Sequence, residues 1–107
     1  MTTTREPAAT ALVASKQWPR AIQALEDYRR DYPKSEFAND VTRNLAVAYV
    51  EGGRPAQAAV EFERIAQRPG EDVAVVREAL TRAADLYETA GNGTRSVALL
   101  EQLVQKY

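Results

Sequence analysis

The stretch "AYVEGGRPAQ", Ala48–Gln57, decides how this chain is read. Two glycines and a proline interrupt sequence that is helical in pattern on both sides. Gly52 and Gly53 can end a helix in the left-handed conformation without a side-chain penalty. Pro55 lacks an N–H and has a preset φ, which suits the first turn of the helix that follows. The stretch is a tight joint between two helices, and whether it recurs fixes the architecture.

It does recur. "WPRAIQALEDYRRDYP" (Trp18–Pro33) lies over "PAQAAVEFERIAQRPG" (Pro55–Gly70) at an offset of 37, the distance from Trp18 to Pro55. Ala21 then meets Ala58, Leu25 meets Phe62, Glu26 meets Glu63 and Tyr28 meets Ile65. A third copy, "GTRSVALLEQLVQKY" (Gly93–Tyr107), follows 38 residues after Pro55. There Ser96, Leu100, Glu101, Leu103 and Tyr107 take the places of Ala21, Leu25, Glu26, Tyr28 and Tyr32. The preceding segments match as well: "NLAVAYVEGG" lies over "RAADLYETAG" at an offset of 38, pairing Ala46 with Ala84, Tyr49 with Tyr87 and Gly53 with Gly91.

A repeat of this length holding two helices is the signature of a helical solenoid. Apolar residues recur at helical spacing: Ala58, Phe62, Ile65 and Ala66 form one stripe, and Val97, Leu100, Leu103 and Val104 form another. No strand-like alternation is sustained. The pattern predicts an all-α fold of six helices over 6–15, 18–31, 36–51, 55–67, 73–90 and 94–107. Ser35, Asp72 and Thr94 are the expected N-caps. "GNG", Gly91–Gly93, reads as a slightly longer form of the opening joint, with two extra residues in the turn.

Composition removes several function classes. The 107 residues carry 14 Lys+Arg against 15 Asp+Glu, a net charge of −1, without the basic surplus of a nucleic-acid or anionic-membrane binder. With neither cysteine nor histidine, the chain has no disulfide, thiolate nucleophile, imidazole base or His/Cys zinc site. Ser15, Ser35 and Ser96 therefore lack an imidazole to activate them, and no G-x-S-x-G elbow is present. "GGRP" and "GNGT" do not extend to a phosphate loop, so both read as turns. The carboxylate pairs Glu26/Asp27, Glu61/Glu63 and Glu71/Asp72 alternate with arginines and are expected on solvated helix faces. The reading is that of a non-enzyme with no catalytic residue, metal or cofactor. The tyrosines are expected between helices, and Trp18 against the first helix.

Those repeated positions resemble the tetratricopeptide-repeat family. Its small residue, aromatic, turn glycine, and then Ala, Phe/Leu and apolar positions fall on Ala46, Tyr49, Gly53, Ala58, Phe62 and Ile65, with Pro69 one residue early. In the first copy they fall on Ala9, Leu12, Lys16 (in place of Gly), Ala21, Leu25, Tyr28 and Pro33. In the third they fall on Ala84, Tyr87, Gly91, Ser96, Leu100 and Leu103. Other α-solenoids and a plain bundle of three hairpins share much of this pattern. The resemblance implies one domain over 1–107, a right-handed superhelix of three hairpins with repeats at about 5–33, 36–70 and 73–107. The lengthened period and the "YPKSEFANDV" junction, Tyr32–Val41, are similar to bacterial cell-envelope members of the family, of the Tol–Pal-associated and outer-membrane assembly types. That style favours the periplasm or envelope if the chain is a piece of a longer protein, and the cytoplasm otherwise. Tyr107 has no following Pro, so a fragment of a longer repeat protein is expected.

For function the resemblance implies a protein-interaction scaffold whose first helices line a concave groove. The groove residues would be Glu6, Thr10 and Val13, then Asp40, Arg43, Asn44, Val47 and Glu51, then Glu78, Thr81, Arg82, Asp85 and Thr89. Their mixture of charged and small apolar groups suits a partner peptide or helix. Of the five carboxylate-clamp positions in chaperone-binding members, only Asn44 and Arg82 match; Glu6 and Glu78 stand where lysines would, so a carboxylate clamp is not expected. Val97, Leu100, Leu103 and Val104 form a candidate end-stacking surface, which predicts self-association through uncapped ends. A spacer or oligomerisation module, and a regulatory domain of a larger enzyme, remain as alternatives.

Overall fold

The computed structural model describes residues 9–107, six helices and no strand. They are α1 (Ala9–Ala14), α2 (Trp18–Asp31), α3 (Ala38–Glu51), α4 (Pro55–Ala66), α5 (Val73–Thr89) and α6 (Gly93–Lys106). Close helix–helix approach follows chain order, with α1 against α3 as the one addition among the described residues. The result is an elongated stack of hairpins measuring 52 × 30 × 20 Å.

The three joints within hairpins share one hydrogen-bond pattern. The Gln17, Arg54 and Asn92 amides donate to the Leu12, Tyr49 and Tyr87 carbonyls at 3.0, 2.7 and 2.8 Å. One residue earlier, the Lys16, Gly53 and Gly91 amides donate to Val13, Val50 and Glu88. This is the Schellman closure, which requires a left-handed residue; Lys16, Gly53 and Gly91 have φ of 61°, 77° and 86°. Lys16 adopts the conformation its glycine counterparts take without penalty. The Gly91–Gly93 joint is no longer than the others, because α6 starts at Gly93 itself, as α4 starts at Pro55. Gly52 has a different task. A Cβ there would lie 2.7 Å from the Ala48 carbonyl oxygen and 3.2 Å from Ile22 Cδ1, so the end of α3 can pass α2 only with no side chain present.

Of the expected caps, Asp72 accepts from the Ala74 amide at 2.8 Å. Ser35 does not cap α3, which begins three residues later. Its hydroxyl accepts from the Phe37 amide at 3.0 Å and bonds the Tyr28 hydroxyl at 2.8 Å, tying the Tyr32–Phe37 loop back to α2. Thr94 is not a cap either: Asn92 takes that role, accepting from the Arg95 amide at 3.1 Å.

The core comes as two clusters in series. The first joins Ile22 and Leu25 of α2 to Val41, Leu45, Ala48 and Tyr49 of α3, with Trp18 packed on it; Val13, expected to face the groove, is half-buried against the same cluster instead. The second joins Ala59 of α4 to Val76, Leu80, Ala83, Ala84 and Tyr87 of α5 and Leu99 of α6. Leu86 touches both.

The expectation that Glu61 and Glu63 lie on a solvated face is overturned. Both are buried, because α4 is sandwiched between neighbours on more sides than its charge pattern implies. Glu61 receives a bidentate pair from Arg29 of α2, at 2.6 and 3.0 Å, with Arg64 at 3.6 Å. Glu63 receives the Tyr87 hydroxyl of α5 and Arg95 of α6. Glu26 of α2 likewise receives the Tyr49 hydroxyl of α3. Every buried side-chain polar atom among the described residues has a partner, as a stable interior requires.

Candidate functional site

Between α3 and α5, over the end of α4, lies a cleft of about 260 Å³. Its apolar surface comes from Phe62 and Ile65 of α4 and Val75 and Ala79 of α5. Arg43, Arg68, Glu71, Glu78 and Arg82 complete the lining. The local sequence explains the arrangement. α4 is two residues shorter than α2, and the loop after it turns at Gly70 with φ of 74°. This carries Arg68 back to α3, where its guanidinium donates to the Asn39 carbonyl at 2.9 Å and faces Glu71 at 3.5 Å.

The charges in the cleft are not equivalent. Arg43 is paired with Asp40 one turn earlier on α3, and Arg68 is held by its two contacts. Arg82 makes no ion pair among the described residues; its guanidinium carbon stands 5.1 Å from the Phe62 ring centroid. A cation over an aromatic face keeps its donors free to meet a ligand. Glu78 lines the same cleft one turn before Arg82 and also has no ion-pair partner among the described residues. The site therefore offers an apolar floor, one uncommitted guanidinium and one uncommitted carboxylate.

Of the groove residues expected from sequence, the cleft gathers Arg43, Glu78 and Arg82. Asp40 sits at the rim through its pair with Arg43. Asn44, Val47 and Glu51 on α3, and Thr81 and Asp85 on α5, do not line it. Val47 is exposed, and the Thr81 and Thr89 hydroxyls donate to the Arg77 and Asp85 carbonyls behind them. Glu6 lies outside the described residues, and so does the side chain of Thr10. Phe62, Ile65, Arg68, Glu71, Val75 and Ala79 were not expected in the site. Phe62 and Ile65 belong to a stripe that reads as core, and Arg68 and Glu71 to a loop that reads as linker. The position of Phe62 between two first helices was the available signal.

The walls of the cleft are fixed by the buried tyrosines. Tyr49 holds α3 to α2 through Glu26, and Tyr87 holds α5 to α4 through Glu63. Burial first, and the hydrogen bond to a carboxylate second, push both phenols above the ordinary tyrosine value, Tyr49 strongly. Arg29 and Arg95 are held more firmly protonated by their bonds to Glu61 and Glu63. These carboxylates tie neighbouring helices together.

On the outer side of α6, Val97, Leu100 and Val104 are exposed, whereas Leu103 is half-buried against the second cluster. Among the described residues, no helix is long and apolar enough to cross a membrane.

The tetratricopeptide-repeat family model matches residues 8–35 and 78–107, together more than half of the chain. The matched segments cover the first hairpin and most of the third. No curated protein and no solved structure matches the sequence.

Proposed function

This chain belongs to the tetratricopeptide-repeat family, whose repeats generally serve as non-catalytic protein-interaction scaffolds, and from that premise we propose that it holds a partner peptide or helix in the cleft between α3 and α5. The observation that carries the reading is Arg82, stacked on Phe62 with no carboxylate of its own. The floor suits one apolar anchor side chain of the partner, and Arg82 suits an acidic group beside it. Arg43 and Glu78 set the register on either side. The chain contributes no catalytic group, metal or cofactor to this task. The junction at Tyr32–Val41 supports placing the scaffold within a bacterial envelope assembly.

The test is an affinity capture with the immobilised protein, from native extracts separated by compartment, run beside an Arg43→Glu/Arg82→Glu variant. A partner retained by the native sequence and lost by the variant is the expected result, and its compartment reports on the envelope assignment. Equal retention by both proteins would remove the cleft from consideration.

A second reading has its own observation. Val97, Leu100 and Val104 are apolar and exposed on one helix face, which supports a module that stacks through its end as a spacer or oligomer. Light scattering over a wide concentration range tests it, and a constant monomeric mass would count against it.

A further inference from the structure

Val75, Glu78, Ala79 and Arg82 lie on one face of α5, and all four line the cleft. Glu78 and Arg82 stand one helical turn apart with the acid on the N-terminal side, the order in which such side chains pair best along a helix. They do not pair here: Arg82 lies over the Phe62 ring instead, 5.1 Å from its centroid. The other cations of the cleft are spent close to home. Arg43 faces Asp40 three residues earlier on α3, and Arg68 faces Glu71 three residues later in its loop. The cleft therefore keeps two opposite charges uncommitted among the described residues. They stand on one helix, a turn apart, at the edge of an apolar floor.

Resting on the cleft reading, we propose that Glu78 and Arg82 select both the charge order and the direction of the occupant. It is an amphipathic helix of a partner protein, running antiparallel to α5. Its acidic residue meets Arg82, an apolar residue three positions later meets the floor, and a basic residue one position further meets Glu78. A helix fits because its residues three and four apart share a face, so acid, anchor and base all point into the cleft. A strand turns each intervening residue to the other side and could not seat an anchor between the two charges. The antiparallel direction places acid before base, the order that stabilises the partner helix itself. Such a helix is partly formed before it binds and loses less freedom on docking. Phe62, Ile65, Val75 and Ala79 would accept many apolar side chains, so the charges make the selection. A helix of the opposite order, laid in the same direction, brings acid to Glu78 and base to Arg82, and like charges repel at both ends. A uniformly acidic ligand meets the same repulsion at Glu78.

The test selects from a displayed library of alanine-based helical peptides, randomised on one face. It is run against the full native chain, a Glu78→Arg/Arg82→Glu chain and a Val75→Gln chain. All three positions are exposed, so the substitutions leave the core intact. The native chain should enrich acid, apolar and basic residues in that order, and the charge-swapped chain the reverse. Exchanging acid and base in the best native peptide should weaken its binding to the native chain about tenfold and strengthen its binding to the swapped chain. The same charge order from both chains would overturn the proposal, and so would apolar peptides with no charge order. In that second case, loss of the peptides on Val75→Gln would leave the cleft reading standing, and their retention would remove the cleft as well. An empty selection would also overturn the helix proposal, leaving the cleft to its own capture test. Amide signals of α5 that shift with protein concentration alone would overturn it by giving the face to a second copy.

Discussion

The seam between α2 and α3 and the seam between α4 and α5 are built on the same backbone plan but wired differently. At the first, two carboxylates divide the work: Glu26 of α2 takes the Tyr49 hydroxyl, and Glu61, reaching from α4, takes Arg29 of α2. In the second, Glu63 alone takes both the Tyr87 hydroxyl and Arg95. Repetition has preserved the tyrosine-to-glutamate bond while the arginines found different targets. A divided seam loses its contacts singly, and a concentrated one loses them together.

The largest expected effect is at the divided seam. Arg29→Ala leaves Glu61 buried with only Arg64 at 3.6 Å, and should cost about 3 kcal/mol in urea-unfolding free energy. Replacing both partners, as Arg29→Met with Glu61→Leu, should recover most of that loss. Glu63→Ala comes next, at about 2 kcal/mol, because it strands the buried Tyr87 hydroxyl and releases Arg95. A double-mutant cycle sharpens the contrast: Tyr87→Phe and Arg95→Ala should couple by about 1 kcal/mol through Glu63, and Tyr49→Phe with Arg29→Ala by less.

Alkaline pH probes both seams at once. The folded pKa of Tyr49 and of Tyr87 lies above the unfolded value of about 10. Above pH 10 the unfolded chain releases protons that the folded chain keeps, so stability present below that pH is lost as pH rises towards the folded pKa. Near-ultraviolet titration should show two late phenols among the five. In Tyr49→Phe/Tyr87→Phe the alkaline loss of stability should shrink. The smallest effect is expected at the first joint: Lys16→Gly should raise unfolding free energy by about 0.5–1 kcal/mol by removing the left-handed strain. Gly53→Ala should lower it by a similar amount.

The helices, their order and the joints were legible in the sequence, because apolar spacing and Gly/Pro punctuation report on local backbone preference. The register between units was legible too: the 37- and 38-residue offsets superpose Lys16, Gly53 and Gly91, whose dihedral angles agree. Side-chain partnerships between helices were not. Nothing local marks Glu61 as buried, since its partner Arg29 lies 32 residues away on a helix two elements earlier. The cleft was half legible for the same reason. Arg43 and Arg82 follow from helix facing, but Arg68 arrives by way of a loop whose path depends on where α4 stops.

The chain-order packing of the stack bears on how the protein is made. Among the described residues every close helix approach joins segments adjacent or nearly adjacent along the chain, so no helix waits for a distant part of the sequence to find its main packing partner. Such local topologies fold in microseconds to milliseconds, faster than synthesis adds residues. Each core cluster draws on consecutive helices, so it can assemble as soon as the next helix clears the ribosome and then serve as the template on which the following one is laid.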